Sequence, residues 1–162
     1  LLDLRGGPDE ASFERAVSCA ASVVHMVARR DELVRLVTTD GADSGLVPAA
    51  EQLDELMDRL AVVAVDPPRR DRPRPLLGTL AQLDRSGAGR VVTCTAGLSA
   101  DDVGGLAAST RSMGLHVVVT TAPGAPRTDA TATLQVRAPA DVDLAAAWDE
   151  GIATTRPQEP AR

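Results

Sequence analysis

The residues able to do chemistry fall at the ends of apolar runs. Asp3, Arg5, Gly6 and Gly7 follow the first run, Asp40 and Asp43 follow one that ends at Thr39, and Cys94, Thr95 and Ser99 close a third. Asp3, Asp40 and Asp43 carry the hard oxygen donors that Mg²⁺ prefers. Cys94 beside Thr95 offers a thiol and a hydroxyl to a small-molecule enzyme, provided a base comes within about 3 Å. The two imidazoles are His25 and His116. His116 opens its run while Cys94 closes its own, which puts them at opposite ends of strands roughly 17–20 Å long. His25 lies late in a helical stretch. Both histidines are therefore expected in structural roles.

Other chemistries fail on composition or spacing. No G-x-S-x-G elbow occurs. Arg5-Gly6-Gly7-Pro8-Asp9 has adjacent glycines followed by a proline and an acid, which suits a tight strand-to-helix turn better than a pyrophosphate cradle. A Walker loop needs a lysine, and every one of the 17 basic residues is Arg. Cys19 and Cys94 lack C-x-x-C or Cys/His ligand spacing, so zinc is excluded. They read as buried thiols in a reducing compartment, with a disulfide as the alternative. Arg69, Arg70, Arg72 and Arg74 stand among four prolines in Asp66–Pro75. That segment reads as a solvated loop, the alternative being a grip on an acidic partner or a phosphate.

Elements to position these residues follow from periodicity. Leu1–Arg5 reads as a strand that ends at Gly6-Gly7-Pro8. Phe13, Ala16, Val17, Ala20, Val24 and Val27 recur at helical spacing, giving a helix over Asp9–Arg30. Leu33–Thr39 reads as a strand, 40–45 as a turn, and Pro48 as the start of a second helix with Leu53, Leu56, Met57 and Leu60 on one face. Ala61–Val65 is a short strand or coil. Leu76–Leu83 is a short helix, broken by Gly87–Gly89. Arg90–Thr95 and Leu115–Thr121 are buried strands. Between them Ser99 and Asp102 form a capping box, weakened by Gly104 and Gly105. Ala122–Thr131 is loop and Leu134–Val136 a short edge strand. Asp141 or Asp143 caps a last helix on which Leu144, Trp148 and Ile152 align, Trp148 closing the core. Residues 1–153 form one domain, and 154–162 a tail expected to fray.

Apolar strands alternating with helices predict an α/β fold, a mostly parallel sheet with helices on both faces. In such sheets ligands bind beyond the carboxyl ends of the strands. That nominates Asp3, Arg5, Thr39, Asp40, Thr95 and Ser99, with the arginine segment, as a partner-binding surface.

Bulk properties narrow the partner. The 162 residues carry a formal charge of −6, with one Phe, one Trp and no Tyr. That speaks against a nucleic-acid face, which needs positive charge and, for single strands, stacking platforms. The longest apolar run, Leu60–Val65, is far short of the roughly 20 residues that span a bilayer. The chain opens at Leu1 without an initiator Met, as expected of the C-terminal piece of a longer protein whose membrane anchor, if it has one, lies upstream. Its expected location is the cytoplasm or the cytoplasmic side of a membrane.

As an ordered set, Asp3-Leu4-Arg5, Ser12–Ser18, Val34–Gly41 and Leu144–Trp148 resemble actinobacterial members of the domain-of-unknown-function family fifty-eight, whose C-terminal half is von Willebrand factor A-like. The resemblance covers nearly the whole chain. It implies a three-layer, Rossmann-like sheet with a metal-ion-dependent adhesion site of the form D-x-S-x-S at its top, a Thr from a later loop and a further Asp. Asp3 matches that pattern. Arg5 and Gly7 replace the two serines, the Thr position falls near Arg74-Pro75, and Thr95-Ala96 stand where a Ser-Asp pair would. One ligand of the five thus remains, and Arg5 should pair with Asp3 and repel Mg²⁺. The resemblance further implies a protein partner, a MoxR-type AAA+ ATPase, and an adaptor role. The expectation is a non-catalytic interaction module with no cofactor. The alternatives are a Mg²⁺-dependent binding domain built on Asp3, Asp40 and Asp43, and an enzyme using Cys94.

Overall fold

The first apolar run is drawn into the middle of the molecule. In the computed structural model, which describes residues 1–66, 75–87, 89–110, 113–128 and 133–155, Leu2 bridges Cys94 on one side and Thr38 on the other, both in parallel. Leu2 N donates to Val37 O at 2.9 Å and Thr39 N donates to Leu2 O at 3.2 Å. On the other edge, Cys94 N donates to Leu1 O and Asp3 N donates to Cys94 O, each at 2.9 Å. Residues 1–4 are thus hydrogen-bonded along both edges.

The described residues hold strands β1 (Leu33–Val34), β2 (Val47–Pro48), β3 (Arg90–Thr95), β4 (Leu115–Thr120) and β5 (Thr133–Arg137). Helices are α1 (Glu10–Ala28), α2 (Leu53–Ala61), α3 (Pro75–Arg85), α4 (Ala100–Ser109) and α5 (Leu144–Thr155). β3, β4 and β5 form a parallel sheet in that order, with Cys94 opposite Val119 and His116 opposite Thr133. Residues 1–4 and then 36–39 extend it beyond β3.

Strand residues alternate between two apolar clusters, as the two-residue period of a strand requires. Leu2, Leu4, Cys94, Val117, Val119 and Val136 pack with Phe13, Ala16 and Ala20 of α1, Leu56 and Leu60 of α2, and Ala147 of α5. Val91 and Val118 pack instead with Leu76 and Leu80 of α3 and Leu106 of α4. Helices therefore cover both faces, and β4 is buried through five of its six residues. Trp148 is half-buried against the first cluster.

Helix starts follow side-chain chemistry. Asp9 caps α1, accepting from Ser12 N at 2.7 Å. Pro75 supplies the first residue of α3, where its missing N–H is no loss. Ser99 and Asp102 make the reciprocal capping box of α4. Asp143 serves α5, accepting from Ala146 N at 3.0 Å.

Two expected elements are redrawn. The strand expected over Leu33–Thr39 divides at Arg35, which turns out to Asp43 at 2.6 Å. Only Leu33–Val34 is ladder, and it pairs antiparallel with Val47–Pro48 outside the main sheet. Leu36 N then finds Ser44 Oγ at 2.8 Å, while residues 37–39 run beside Leu2. Pro48 does not open a helix: it ends the edge strand β2, a place that needs no amide donor, and α2 begins five residues later. Smaller shifts occur at the C-terminal end. The edge strand is longer than Leu134–Val136, and α5 runs through Thr155, past the expected tail start at Thr154. The arginine-proline segment falls in 67–74, outside the described residues. Among the described residues, no helix is long and apolar enough to cross a membrane.

Candidate functional site

The segment after Leu4 leads into α1 on one face of the sheet, and the segment after β3 leads into α4 on the other. Adjacent strands whose connections leave in opposite directions open a crevice at their carboxyl ends, the usual ligand site of an open α/β sheet. Asp3, Arg5, Thr95, Gly97, Ser99 and Asp102 gather there.

Arg5 fills the crevice. Its Nε lies 3.0 Å from both oxygens of Asp3, and its Nη2 lies 2.7 Å from Asp3 Oδ2. Its Nη1 reaches Asp102 Oδ2 at 2.9 Å. Asp3 is 1 % exposed and Asp102 2 %. Thr95 Oγ1 donates to Asp3 Oδ2 at 2.7 Å, and Thr39 Oγ1 makes a long contact with Oδ1 at 3.4 Å. Thr39 in turn accepts from Leu4 N at 2.9 Å, and Thr95 accepts from Gly97 N at 3.0 Å. Ser99 donates to Asp102 Oδ2 through its amide at 3.0 Å and its hydroxyl at 2.7 Å. Burial works against the Arg5 charge, but the hydrogen bonds it donates to Asp3 and the two carboxylate charges outweigh it, so its pKa is raised. The fork of a guanidinium suits this two-sided grip, which a lysine could not make.

Backbone closes the crevice further. A Cβ on Gly7 would lie 2.7 Å from Ala96 O, and one on Gly97 would collide with Gly6 O. The loops after residues 1–4 and after β3 thus pack main chain to main chain. Beside them, Thr121 Oγ1 donates to Ser12 O at 2.6 Å, tying the top of β4 to α1. Arg15 Nη2 donates to Val142 O at 2.6 Å, joining α1 to the segment before α5.

Of the residues nominated from sequence, Asp3, Arg5, Thr39, Thr95 and Ser99 come together. Asp40 and Asp43 do not join them. Asp40 accepts from Ala42 N at 3.1 Å and from the Thr38 hydroxyl. Asp43 is held by Arg35, whose hydrogen bonds lower its pKa, and it also accepts from Gly45 N at 2.8 Å. Among the described residues no three Asp, Glu, His or Cys side chains are grouped so as to hold a metal ion. Arg69, Arg70, Arg72 and Arg74 lie outside the described residues. The donor set around Asp3 does not fit a divalent cation: both carboxylate oxygens are engaged, and the nearest charge is positive.

Cys94 and His116 form no couple. Cys94 faces the α1 cluster, 1 % exposed, and burial pushes its thiol up to about 12. His116 pairs in register with Val91, three residues from Cys94 along β3, and shares the opposite face with Val91 and Val118. It is fully buried between Thr93 Oγ1, 2.9 Å from Nε2, and Thr133 Oγ1, 3.3 Å from Nδ1. Burial drives its pKa down to about 4. Sequence reasoning missed this threonine-flanked histidine; the alternation Thr93, His116, Thr133 on one sheet face becomes visible once register is known. It also missed the second role of Asp102, whose only sequence signal was its capping distance from Ser99.

In comparisons with protein-family models, curated proteins and solved structures, nothing matches this chain.

Proposed function

We propose that the chain is a non-catalytic protein-interaction module of the von Willebrand factor A-like, three-layer Rossmann-like kind, with an adhesion site converted from metal binding to an internal ion pair. The observation that carries this reading is Arg5, clamped between Asp3 and Asp102 at the crevice where a ligand would otherwise enter. The groups best placed to bind or react are engaged with one another, so the outer surface of the loops around Asp40 and Ser99 is what remains to meet a partner. By the resemblance in sequence, the partner is a protein of the MoxR-type AAA+ ATPase class, met on the cytoplasmic side.

Two measurements test this. A thermal melt with and without millimolar Mg²⁺ or Mn²⁺ should show no shift. A cation at 100 times its Kd would add about 2.7 kcal/mol, raising Tm by roughly 5–11 °C for a domain of this size. Titration calorimetry against the purified ATPase should show binding that is the same with and without the cation. A metal-induced shift, or no binding to the ATPase, overturns the corresponding half of the proposal.

A further inference from the structure

The His116 ring ties three strands together. Its Nε2 lies 2.9 Å from Thr93 Oγ1 on β3, and its Nδ1 lies 3.3 Å from Thr133 Oγ1 on β5. The histidine is 0 % exposed and Thr133 8 %. A neutral imidazole offers one N–H and one lone pair, so one threonine accepts from the ring and the other donates to it. A second ring proton makes both nitrogens donors. The threonine that had donated then loses its acceptor, and among the described residues neither hydroxyl has another hydrogen-bond partner.

No anion is at hand to offset the added charge. Charged residues on the elements around the ring are Asp84 and Arg85 of α3, Asp101 and Asp102 of α4, Arg90 of β3 and Arg137 of β5. None of them pairs with it, since its two bonds go to threonines. Asp141, Asp143, Asp149 and Glu150 flank or lie on α5, across the sheet, and are exposed. The charge that does act on the ring is the Leu1 ammonium, bonded to Val92 O at 2.8 Å, and it opposes protonation. A protonated His116 is thus a buried cation with no partner, and exposing the ring to water relieves it.

Topology decides which strand yields. β3 is bonded along both edges, to β4 and to residues 1–4. Among the described residues β5 pairs with β4 alone. Lifting β5 opens the Thr133 side of the ring, and α5 goes with it. A Cβ on Gly151 would lie 2.9 Å from Val136 Cγ2 and 3.3 Å from Gln135 O, so this helix and strand are seated directly on each other. We infer that His116 is an acid-operated latch on the unit β5–α5: a proton on its ring releases that strand and helix from the sheet while residues 1–4, β3 and β4 stay packed. The latch is independent of the proposed adaptor role.

Hydrogen exchange of the 162-residue chain, read by mass spectrometry as protection relative to the unfolded rate at each pH, tests it. Once exposed, the ring titrates at its ordinary 6.5 and not at about 4. Opening of β5–α5 should therefore rise on the order of 20-fold between pH 7 and 5, a range above that of ordinary carboxylates. Peptides covering 133–153 should lose protection by that factor while those covering β3 keep theirs. His116→Gln, which retains every carboxylate, should hold its protection of 133–153 across the same range. A loss shared equally by β3 and β5 overturns the inference. So does a loss that begins only below pH 5, which needs no variant to detect, or one that His116→Gln retains in full.

Discussion

Arg5 Nη1 and Asp102 Oδ2, 97 positions apart in the chain, meet at 2.9 Å across the gap between residues 1–4 and β3. The same guanidinium holds Asp3 on its other edge, so one positive charge is shared by two buried carboxylates, which among the described residues meet no other cation. Hydrogen bonds from Thr95 and Ser99 complete the shells of those carboxylates. Removing one member of such a buried arrangement is far worse than replacing all of it.

Arg5→Ala should therefore cost about 3–5 kcal/mol, the range for stranding a buried charge. Urea denaturation reads the loss. Adding Asp3→Asn to Arg5→Ala should recover part of it, because one of the two stranded charges is then gone and only that of Asp102 remains. A loss below about 1 kcal/mol, the value of a surface pair, would contradict the buried clamp.

Two glycines should respond to alanine with opposite signs. Gly104 lies exposed inside α4, and a Cβ there meets nothing within 4 Å. Gly104→Ala should stabilise by about 0.5–1 kcal/mol through helix propensity. Gly7→Ala would set its Cβ 2.7 Å from Ala96 O and should destabilise by about 1–3 kcal/mol, as overpacking does. Thermal melts of the two variants decide both signs.

His116 gives the chain a pH dependence of stability. Its folded pKa is about 4, below the ordinary 6.5, so the unfolded chain binds the proton more tightly. Its contribution is complete above about pH 6.5, declines as pH falls toward 4, and is absent below. The shift corresponds to about 3 kcal/mol. Comparing denaturation midpoints at pH 7 and near pH 4.5 for the chain and for His116→Gln isolates this part from the carboxylates, and the variant should show the smaller drop.

Native Cys19 and Cys94 should not react with a thiol reagent at neutral pH. Both are 1 % exposed, and burial raises the pKa of each, that of Cys94 to about 12. The thiolate is the reactive form. Both should react fully in guanidinium. A fast-reacting Cys94 in the folded chain would restore it as a candidate nucleophile.

How much of this was legible in the sequence depends on the distance over which each feature is decided. The continuous apolar runs Arg90–Thr95 and Leu115–Thr121 identified parallel strands, and the Ser99–Asp102 spacing identified a helix start. Each signal lies within a few residues. The break in Leu33–Thr39 depends on Asp43 drawing Arg35 aside, and the role of Pro48 depends on Leu33 opposite it. At the site, strand ends alone nominated Asp3, Arg5, Thr39, Thr95 and Ser99, which converge, and also Asp40 and Asp43, which are held by partners of their own. Asp102 as a second anchor for Arg5, and Thr93 and Thr133 about His116, depend on the register of strands far apart in sequence.

The seating of residues 1–4 between 36–39 and β3 also bears on synthesis. Leu1 leaves the ribosome 91 positions before Val92, yet one edge of residues 1–4 pairs with residues 92–95. At about 5–20 residues per second, on the order of 5–20 s separates the first strand from that neighbour. Through that interval an apolar strand with an unsatisfied edge waits in a growing chain. The step that joins Leu2 to Cys94 is a long-range closure of the kind that slows folding, so the middle of this sheet is made well before β3 and is among the last parts to be settled.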